Sequence, residues 1–318
     1  MQKILERSHS AGPSRVAICI ATFQRPRLLQ ALLEALAQLR FSKVLEPCLR
    51  IIVVDNDHAQ SARTICRRES FPWPVDYVCE PRRGIARARN RAIECAAHAD
   101  FLAFIDDDEV PVAQWLDELL WAQTKFHADV VSGCVIPAFA EDVPPWVRSG
   151  KFFHRPVFET GSSVPLCSTN NALIRSEILD VVPTFDERFN FSGGEDTHFF
   201  VRAREAGCRM IFCKEAVAYE PVLRQRANFP WLLRRGFQLG NSWALCEASL
   251  HPGNGTSALR VLKEFVHIGR SALQFLASPI TGKAQFARSL QMMSTSLGTL
   301  AGVAGYRFLP YRDAQKTS

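Results

Sequence analysis

Four acids stand together in this sequence, Asp106, Asp107, Asp108 and Glu109, directly after the apolar run FLAFI at residues 101–105. Like charges side by side at the end of a core strand repel one another, so they either run out into water or hold something positive. The first alternative is an acidic helix start, where carboxylates complement the positive end of the helix dipole. The second is a divalent cation on oxygen ligands that bridges to a substrate phosphate. Mg2+ and Mn2+ prefer carboxylate oxygen and commonly take one or two protein carboxylates beside the phosphates.

Two further stretches offer chemistry of a matching kind. In PRRGIARARN, residues 81–90, Gly84 marks a turn at a helix start, with Arg83, Arg87 and Arg89 around it. Helix N-termini and guanidinium groups both suit a diphosphate, and the alternative is a basic helix face turned to water. In FSGGEDTHFF, residues 191–200, two glycines precede Glu195 and Asp196. Glycine lets the backbone turn tightly and approach a ligand closely. A carboxylate at that point either serves as a general base or caps the first turn of the helix.

The elements that carry these residues alternate regularly through the first half. VAICIA (16–21) leads into PRLLQALLEALAQL, whose leucines at 28, 29, 32, 33, 36 and 39 mark one helix face starting at Pro26. LRIIVV (49–54) precedes a helical stretch near 60–68, VDYVC (75–79) precedes GIARARNRAIECAAHA, and FLAFI precedes VAQWLDELLWAQTKF. Strand followed by helix, four times over, predicts an α/β fold with a mostly parallel sheet covered on both faces. Ligands of such sheets collect outside the carboxyl ends of the strands. Thr22, Asp55, Asp57 and the acids at 106–108 all follow strands of one sense and are expected along one edge.

The second half has a different texture. DVVSGCVI (129–136) reads as a strand, PPWVRSGKFFHRP as an irregular excursion, and NNALIR, RMIFC and AVAYE as short strands with the helix EDTHFFVRAREAG between the first two. From Phe229 the chain reads as helical. No internal repeat and no low-complexity tract occurs.

At 318 residues and 47% apolar content the chain can bury a sizeable core. Ten cysteines are scattered without a CxxC pair, a pattern of free thiols in a reducing compartment rather than of a disulfide framework or a zinc site. The N-terminal MQKILERSHSAGPSR lacks the apolar stretch of a secretory signal, so no export is expected. The net charge of +6 is confined to the end of the chain: residues 1–256 hold 30 basic and 30 acidic side chains, and residues 257–318 hold 8 and 2. Neither a GxGxxG dinucleotide fingerprint nor a GxxxxGK[ST] phosphate loop is present, which argues against a nicotinamide enzyme and a P-loop NTPase. A strand-terminal DxD also opens the site of aspartate-nucleophile phosphohydrolases, where it normally follows the first strand and not the fourth.

Leu259, Leu262, Phe265, Val266 and Leu273 alternate with Arg260, Lys263 and Arg270, and residues 289–306 carry no charge and contain the small-residue pair Gly298 and Gly302. These features predict either a helix lying on, or dipping into, an anionic membrane surface or a helical pair packed on the catalytic domain. Nucleic acid is not expected as a partner, and the sequence is silent on oligomeric state.

Taken in order, VAICIATFQRP, VVDND, RGIARARN, IDDDE, NNALIR and GGED resemble the family 2 glycosyltransferases with the GT-A fold. The chain is similar in detail to bacterial exopolysaccharide glucosyltransferases of the succinoglycan type, including WLDELL after the acids and EPV and RRGFQLG near residues 220–240. The resemblance covers roughly residues 14 to 245. It implies a GT-A domain over 15–228, Rossmann-like with helices on both faces, after a flexible N-terminus 1–14 and before a C-terminal helical extension 229–318, the region whose residues leave membrane contact and packing on the catalytic domain as the two alternatives. It also implies an inverting, metal-dependent hexosyltransferase that moves glucose from a UDP-sugar to a glycan acceptor on a polyprenyl-diphosphate carrier, in the cytoplasm at the inner face of the plasma membrane.

Position by position, the resemblance implies that Thr22, Arg25, Asp55 and Asp57 line the nucleotide pocket with Arg83, Arg89 and Asn90 beside it. Asp106 touches uridine or ribose, Asp107 adjoins it, and Asp108 is the ligand of Mg2+ or Mn2+. Asp196 is the catalytic base, Glu195 supports it, and Arg226, Arg234 and Arg235 approach the diphosphate or acceptor. Relatives often carry a histidine where this chain has Tyr219. A tyrosine hydroxyl is protonated near neutral pH and ligates such ions poorly, which leaves Glu220 or water to complete the site. A nucleotide-sugar-binding scaffold without turnover and a metal-dependent phosphohydrolase are the alternatives.

Overall fold

The computed structural model describes residues 12–67, 71–251, 256–276 and 282–312. Residues 1–11 of the expected N-terminal segment lie outside them. Strands β1 (Arg15–Thr22), β2 (Cys48–Asp55), β3 (Val75–Cys79) and β4 (Phe101–Ile105) pair in parallel, and β5 (Val110–Pro111), β6 (Val130–Phe139), β7 (Asn171–Arg175) and β8 (Met210–Val222) complete one sheet in the order β3-β2-β1-β4-β7-β6-β8-β5.

The period of two along each strand divides the core. Ile18, Ile20, Ile51, Val53 and Ile105 pack under the leucines of α1 (Pro26–Leu36) and under Trp115, Leu116 and Leu119 of α4 (Trp115–Phe126). Ala17, Cys19, Ile52, Val54 and Phe104 meet the other layer, α3 (Ile85–Cys95) and α6 (Glu195–Glu205), through Ala88, Ala92, Phe199 and Phe200. Strands buried on both faces in this way need continuous apolar runs, which is what the sequence carries. The α/β, mostly parallel architecture is as expected.

Three local expectations are corrected. The helix near 60–68 is a single turn, α2 (Arg63–Cys66), and residues 68–70 lie outside the described residues. The helix that begins at Pro26 ends at Leu36, leaving Leu39 buried in the turn beyond it. RMIFC and AVAYE are one strand, β8, whose register against β6 shifts between Gly133 and Cys134. The bulge is pinned by Asn171, which donates to Cys134 O (3.2 Å) and Ala216 O (3.0 Å) and accepts from Trp115 Nε1 (2.8 Å). The excursion at 144–156 holds one short helix, α5 (Pro145–Ser149).

Two strands run against the rest, and both serve the same edge. β7 is antiparallel to β4 with Asn171 opposite Ile105, which delivers the segment Ser168–Asn170 to the acids. β5 is antiparallel to β8 with Val110 opposite Tyr219, which sets Tyr219 and Glu220 beside them.

The chain ends in α7 (Phe229–Leu250), α8 (Thr256–Leu276) and α9 (Lys283–Val303). α9 lies along α7 at backbone contact. A Cβ on Gly240 would run into Thr295 O, and one on Gly298 into Phe237 O. Asn241 of α7 donates to Gly298 O (3.2 Å) and Tyr306 O (2.9 Å). One side of the uncharged segment 289–306 therefore packs on α7, and no described helix is long and apolar enough to cross a membrane.

Candidate active site

The carboxyl ends of β1, β2 and β4 lie side by side, because the parallel register sets Thr22 against Asp55 and Cys19 against Phe104. Thr22 Oγ1 donates to Asp107 Oδ2 (2.7 Å), and the Arg25 guanidinium reaches Asp107 Oδ1 (3.1 Å) and Asp108 Oδ2 (3.3 Å). From the far side Arg226, on the turn between β8 and α7, donates to Asp108 Oδ2 (2.9 Å) and lies 3.6 Å from Glu220. Arg155 holds the other Glu220 oxygen at 3.0 Å. The repulsion within the acidic run is thus offset by arginines from three distant segments.

Arg89 links this cluster to the second one. Its guanidinium is buried, with Nη2 3.1 Å from Asp106 Oδ1 and Nη1 on Glu195 Oε1. Two acidic segments far apart in sequence thereby become one site. Asp196, next in the chain, is only half-buried and accepts from Ser168 Oγ (2.7 Å) and from Thr197 N (2.7 Å). Gly193 and Gly194 before it have φ of +76° and +94°, and Gly194 leaves no room for a Cβ against Cys246. α7 holds this turn from behind: Ser242 Oγ and Gln238 Nε2 donate to Ser192 O (2.8 and 3.3 Å), and Cys246 Sγ lies 3.1 Å from Gly194 O.

Burial sets the protonation of the buried acids. It lifts Asp107 to about 6 against the pull of Arg25, and Glu195 to about 7 against that of Arg89. Asp106 is raised for the same reason, with Arg89 opposing. Burial also raises Glu109 well above the ordinary carboxylate range: fully enclosed, it accepts from Asn170 Nδ2 (2.7 Å) through one oxygen and leaves Oε2 without a partner among the described residues.

Several sequence-nominated residues are placed in supporting roles. Asp55 is fully buried and accepts from Asp57 N, Ala62 N and Tyr77 OH, so its carboxylate holds the loop after β2. Asp57 caps the same loop through Ala59 N. Asn90 clasps the backbone of Phe185 at both N and O and does not face the pocket. Arg89 is inside and not presented to an open diphosphate site. Arg83 stacks on Phe23 and donates to Tyr311 O (2.9 Å) and Arg312 O (3.2 Å). Arg234 lies over the Phe308 ring and Arg235 donates to Gln238 (3.2 Å), which braces the turn before Glu195 and Asp196.

Sequence reasoning missed Ser168, Asn170, Asn56, Gln238 and Ser242. Asn56 ties the loop after β2 to the start of α3, donating to Glu80 O and Arg82 O and accepting from Gly84 N (2.7 Å). The one available signal was the spacing of Gln238, Ser242 and Cys246, four apart on one helix face.

The donor set fits a hard divalent ion. Asp106, Asp108 and Glu220 offer oxygen only, Asp108 stands at a strand end, and such ions need as few as one or two protein carboxylates. Among the described residues the one cluster of three converging donors is Glu118, Cys213 and Glu215, behind α4, where Lys43 already pairs with Glu118 (2.7 Å).

A family model described as Glycosyl transferase family 2 matches residues 17–182. Among curated proteins, the succinoglycan biosynthesis protein ExoM of Rhizobium meliloti (strain 1021) is 36% identical over 231 residues, covering 71% of this chain and 73% of that one. The glycosyltransferase AglE of Haloferax volcanii is 26% identical, covering 74% and 76%. Among solved structures, the mannosyltransferase PcManGT from Pyrobaculum calidifontis in complex with GDP-Man and Mn2+ superposes with a TM-score of 0.57 at 18% identity, covering 96% of this chain and 80% of that one. S. aureus TarS 1-349 in complex with UDP-GlcNAc superposes with 0.52 at 16% identity, covering 92% and 93%. At these identities the two structures speak to the GT-A fold alone.

Proposed function

The chain belongs to glycosyl transferase family 2, and from that premise we propose that it moves a hexose, glucose by its resemblance to succinoglycan-type enzymes, from a UDP-sugar to a glycan hydroxyl with inversion. The observation that carries this reading is Arg89. By pairing with both Asp106 and Glu195 it sets the acids after β4 and the acids of α6 around one space.

In the proposed reaction the acceptor oxygen bonds to the anomeric carbon as the bond from that carbon to the diphosphate oxygen breaks. The hydroxyl proton passes to Asp196, and UDP leaves. Asp196 is suited to receive it because it is reachable and held in a fixed orientation by Ser168 and Thr197. Glu195, paired with buried Arg89, fixes the start of α6. Asp106 and Asp107 line the nucleotide side with Thr22 and Arg25, and Asp55 and Asp57 form the wall behind them. Arg25 and Arg226, which rest on Asp108 in the free protein, are the cations at hand for the diphosphate. Asp108 would hold Mg2+ or Mn2+, which when bound offsets the charge developing on the leaving group.

The GT-A unit spans 15–228 and the helical extension 229–318 in this reading, with α7 bracing the Asp196 turn. The acceptor is a glycan on a polyprenyl-diphosphate carrier, met from the cytoplasm at the inner face of the plasma membrane. The basic excess at the end of the chain supports that placement.

The test is thermal stabilisation by a panel of UDP- and GDP-sugars with and without Mn2+, since a ligand of the folded state raises its stability. A UDP-hexose is expected to stabilise the chain in a Mn2+-dependent way, and Asp108→Ala to lose that dependence. Release of inorganic phosphate in place of UDP would favour the phosphohydrolase alternative and sink this reading.

A further inference from the structure

α8 is built inside out. Leu262, Phe265, Val266, Leu273 and Leu276 share one helix face, and each is between 59% and 71% exposed. On the opposite side Ser271 is wholly buried, Phe275 packs on Phe286 of α9, and Ser271 Oγ and Gln274 Oε1 are enclosed without partners among the described residues. The side chain of Leu259 lies outside what the structure describes. A helix meant for water turns its apolar residues inward and its hydroxyls and amides out. This one leaves five large apolar side chains outside while a hydroxyl and an amide oxygen are enclosed beneath, so its outer face is made for something other than water.

The flank of that face is basic. Lys263 and Arg270 are exposed and fall one helical step to the side of the apolar stripe. Glu264 is the only acid on α8, and it lies on the protein side, 3.9 Å from His267. A second copy of the chain docked on this face would bring the two basic flanks together with no acid to meet them. An anionic lipid surface meets both features at once, burying the leucines in the acyl boundary while the cations meet headgroups.

We propose that the outward face of α8, from Leu262 to Leu276, docks on an anionic lipid bilayer and lies in its interface plane. The inference deepens the reading of a lipid-linked acceptor by naming the surface that brings the protein to it. Of the two stretches that suggested membrane contact by sequence, it assigns the contact to the amphipathic one and not to residues 289–306. α9 turns its small-residue pair to α7 instead. The face lies rather than spans, since no described helix is long and apolar enough to cross.

The experiment is co-sedimentation of the full chain, without nucleotide, on vesicles of phosphatidylethanolamine and phosphatidylglycerol and on vesicles of phosphatidylcholine. Binding to the anionic vesicles is expected to exceed binding to the neutral ones by about 10-fold or more, the scale of a few surface cations. Phe265→Gln with Leu273→Gln should cut the anionic partition by about 10-fold or more, the scale of two lost apolar anchors. Lys263→Glu with Arg270→Glu should abolish the preference for anionic vesicles. All four side chains are exposed, so the variants should keep the wild-type melting temperature and the shift caused by UDP-sugar. That second readout separates loss of docking from failure of the glycosyltransferase reading. Absence of vesicle binding, or binding that the glutamine pair leaves unchanged, overturns the proposal. A solution dimer broken by the same pair, with no vesicle affinity, overturns it in favour of a second copy.

Discussion

The acids after β4 and Asp196 at the start of α6 lie on either side of Arg89 yet are held in opposite ways. Asp106, Asp107 and Asp108 each accept from a guanidinium, of Arg89, Arg25 or Arg226. Asp196 accepts only from two hydroxyls and a backbone amide among the described residues. A carboxylate on a guanidinium has a firm counter-charge beside it, whereas one held by neutral donors has none. The first arrangement is suited to meeting cations and phosphates, and the second to taking a proton. Division of labour between two acidic clusters is thus written in what donates to each.

The largest test of that division is Asp196→Asn. Transfer is expected to fall about 10²- to 10⁴-fold, the usual scale for a lost general base, while UDP-sugar binding by thermal shift stays intact. Turnover near wild type would end the contrast. Next in size is Arg89→Met, which leaves Glu195 enclosed without its cation and Asp106, whose side chain is 40% exposed, without its guanidinium. Denaturant unfolding at pH 8 should show a loss of about 3 to 5 kcal/mol, the cost of breaking a buried pair on one side. The loss should shrink at pH 5, where Glu195 takes a proton and needs no partner; an equal loss at both values would show that Arg89 matters only for packing.

Ser168→Ala should lower kcat about 10-fold, the worth of one hydrogen bond to a charged group, with little change in donor KM. Ser168→Thr, which keeps the hydroxyl, should restore kcat. A kcat equally low in both variants would make Ser168 a structural residue only. The smallest effect concerns stability against pH. Glu195, raised from 4.5 to about 7, binds its proton more tightly folded than unfolded, so its contribution is present below pH 4.5 and is lost as pH rises to about 7. Asp107, lifted to about 6, acts in the same sense. Melting temperatures of the wild type should therefore carry a downward component across that window, and Glu195→Gln should remove part of it.

Much of the site was legible because it depends on local pattern. The run from Phe101 to Glu109, the glycines before Glu195 and the repeated strand and helix periods each declare an element and place its end at one sheet edge. What was not legible is pairing across the chain. Asn90 reads as a neighbour of the nucleotide and is a clasp on Phe185. Arg83 reads as a phosphate ligand and holds the carbonyls of Tyr311 and Arg312. Nothing within ten residues of either side chain states which partner it will meet.

The two last helices show the same boundary. By sequence, the amphipathic stretch from Leu259 to Leu273 and the uncharged residues 289–306, with the small-residue pair Gly298 and Gly302, are both membrane candidates. In three dimensions that pair sits against Phe237 and Asn241 of α7, while the charged, amphipathic α8 is left with its leucines outside.

The sequence by itself determined the α/β architecture, the strand ends that bear the acids and the glycine turn before Asp196, because hydrophobic period and backbone freedom act over a few residues. Only the tertiary structure decided which arginine neutralises which acid, that Arg89 is the joint between the two clusters, and which C-terminal helix faces outward. Those outcomes depend on desolvation and on close approach between segments far apart in the chain, and neither exists until the sheet has formed and the helices have packed on it.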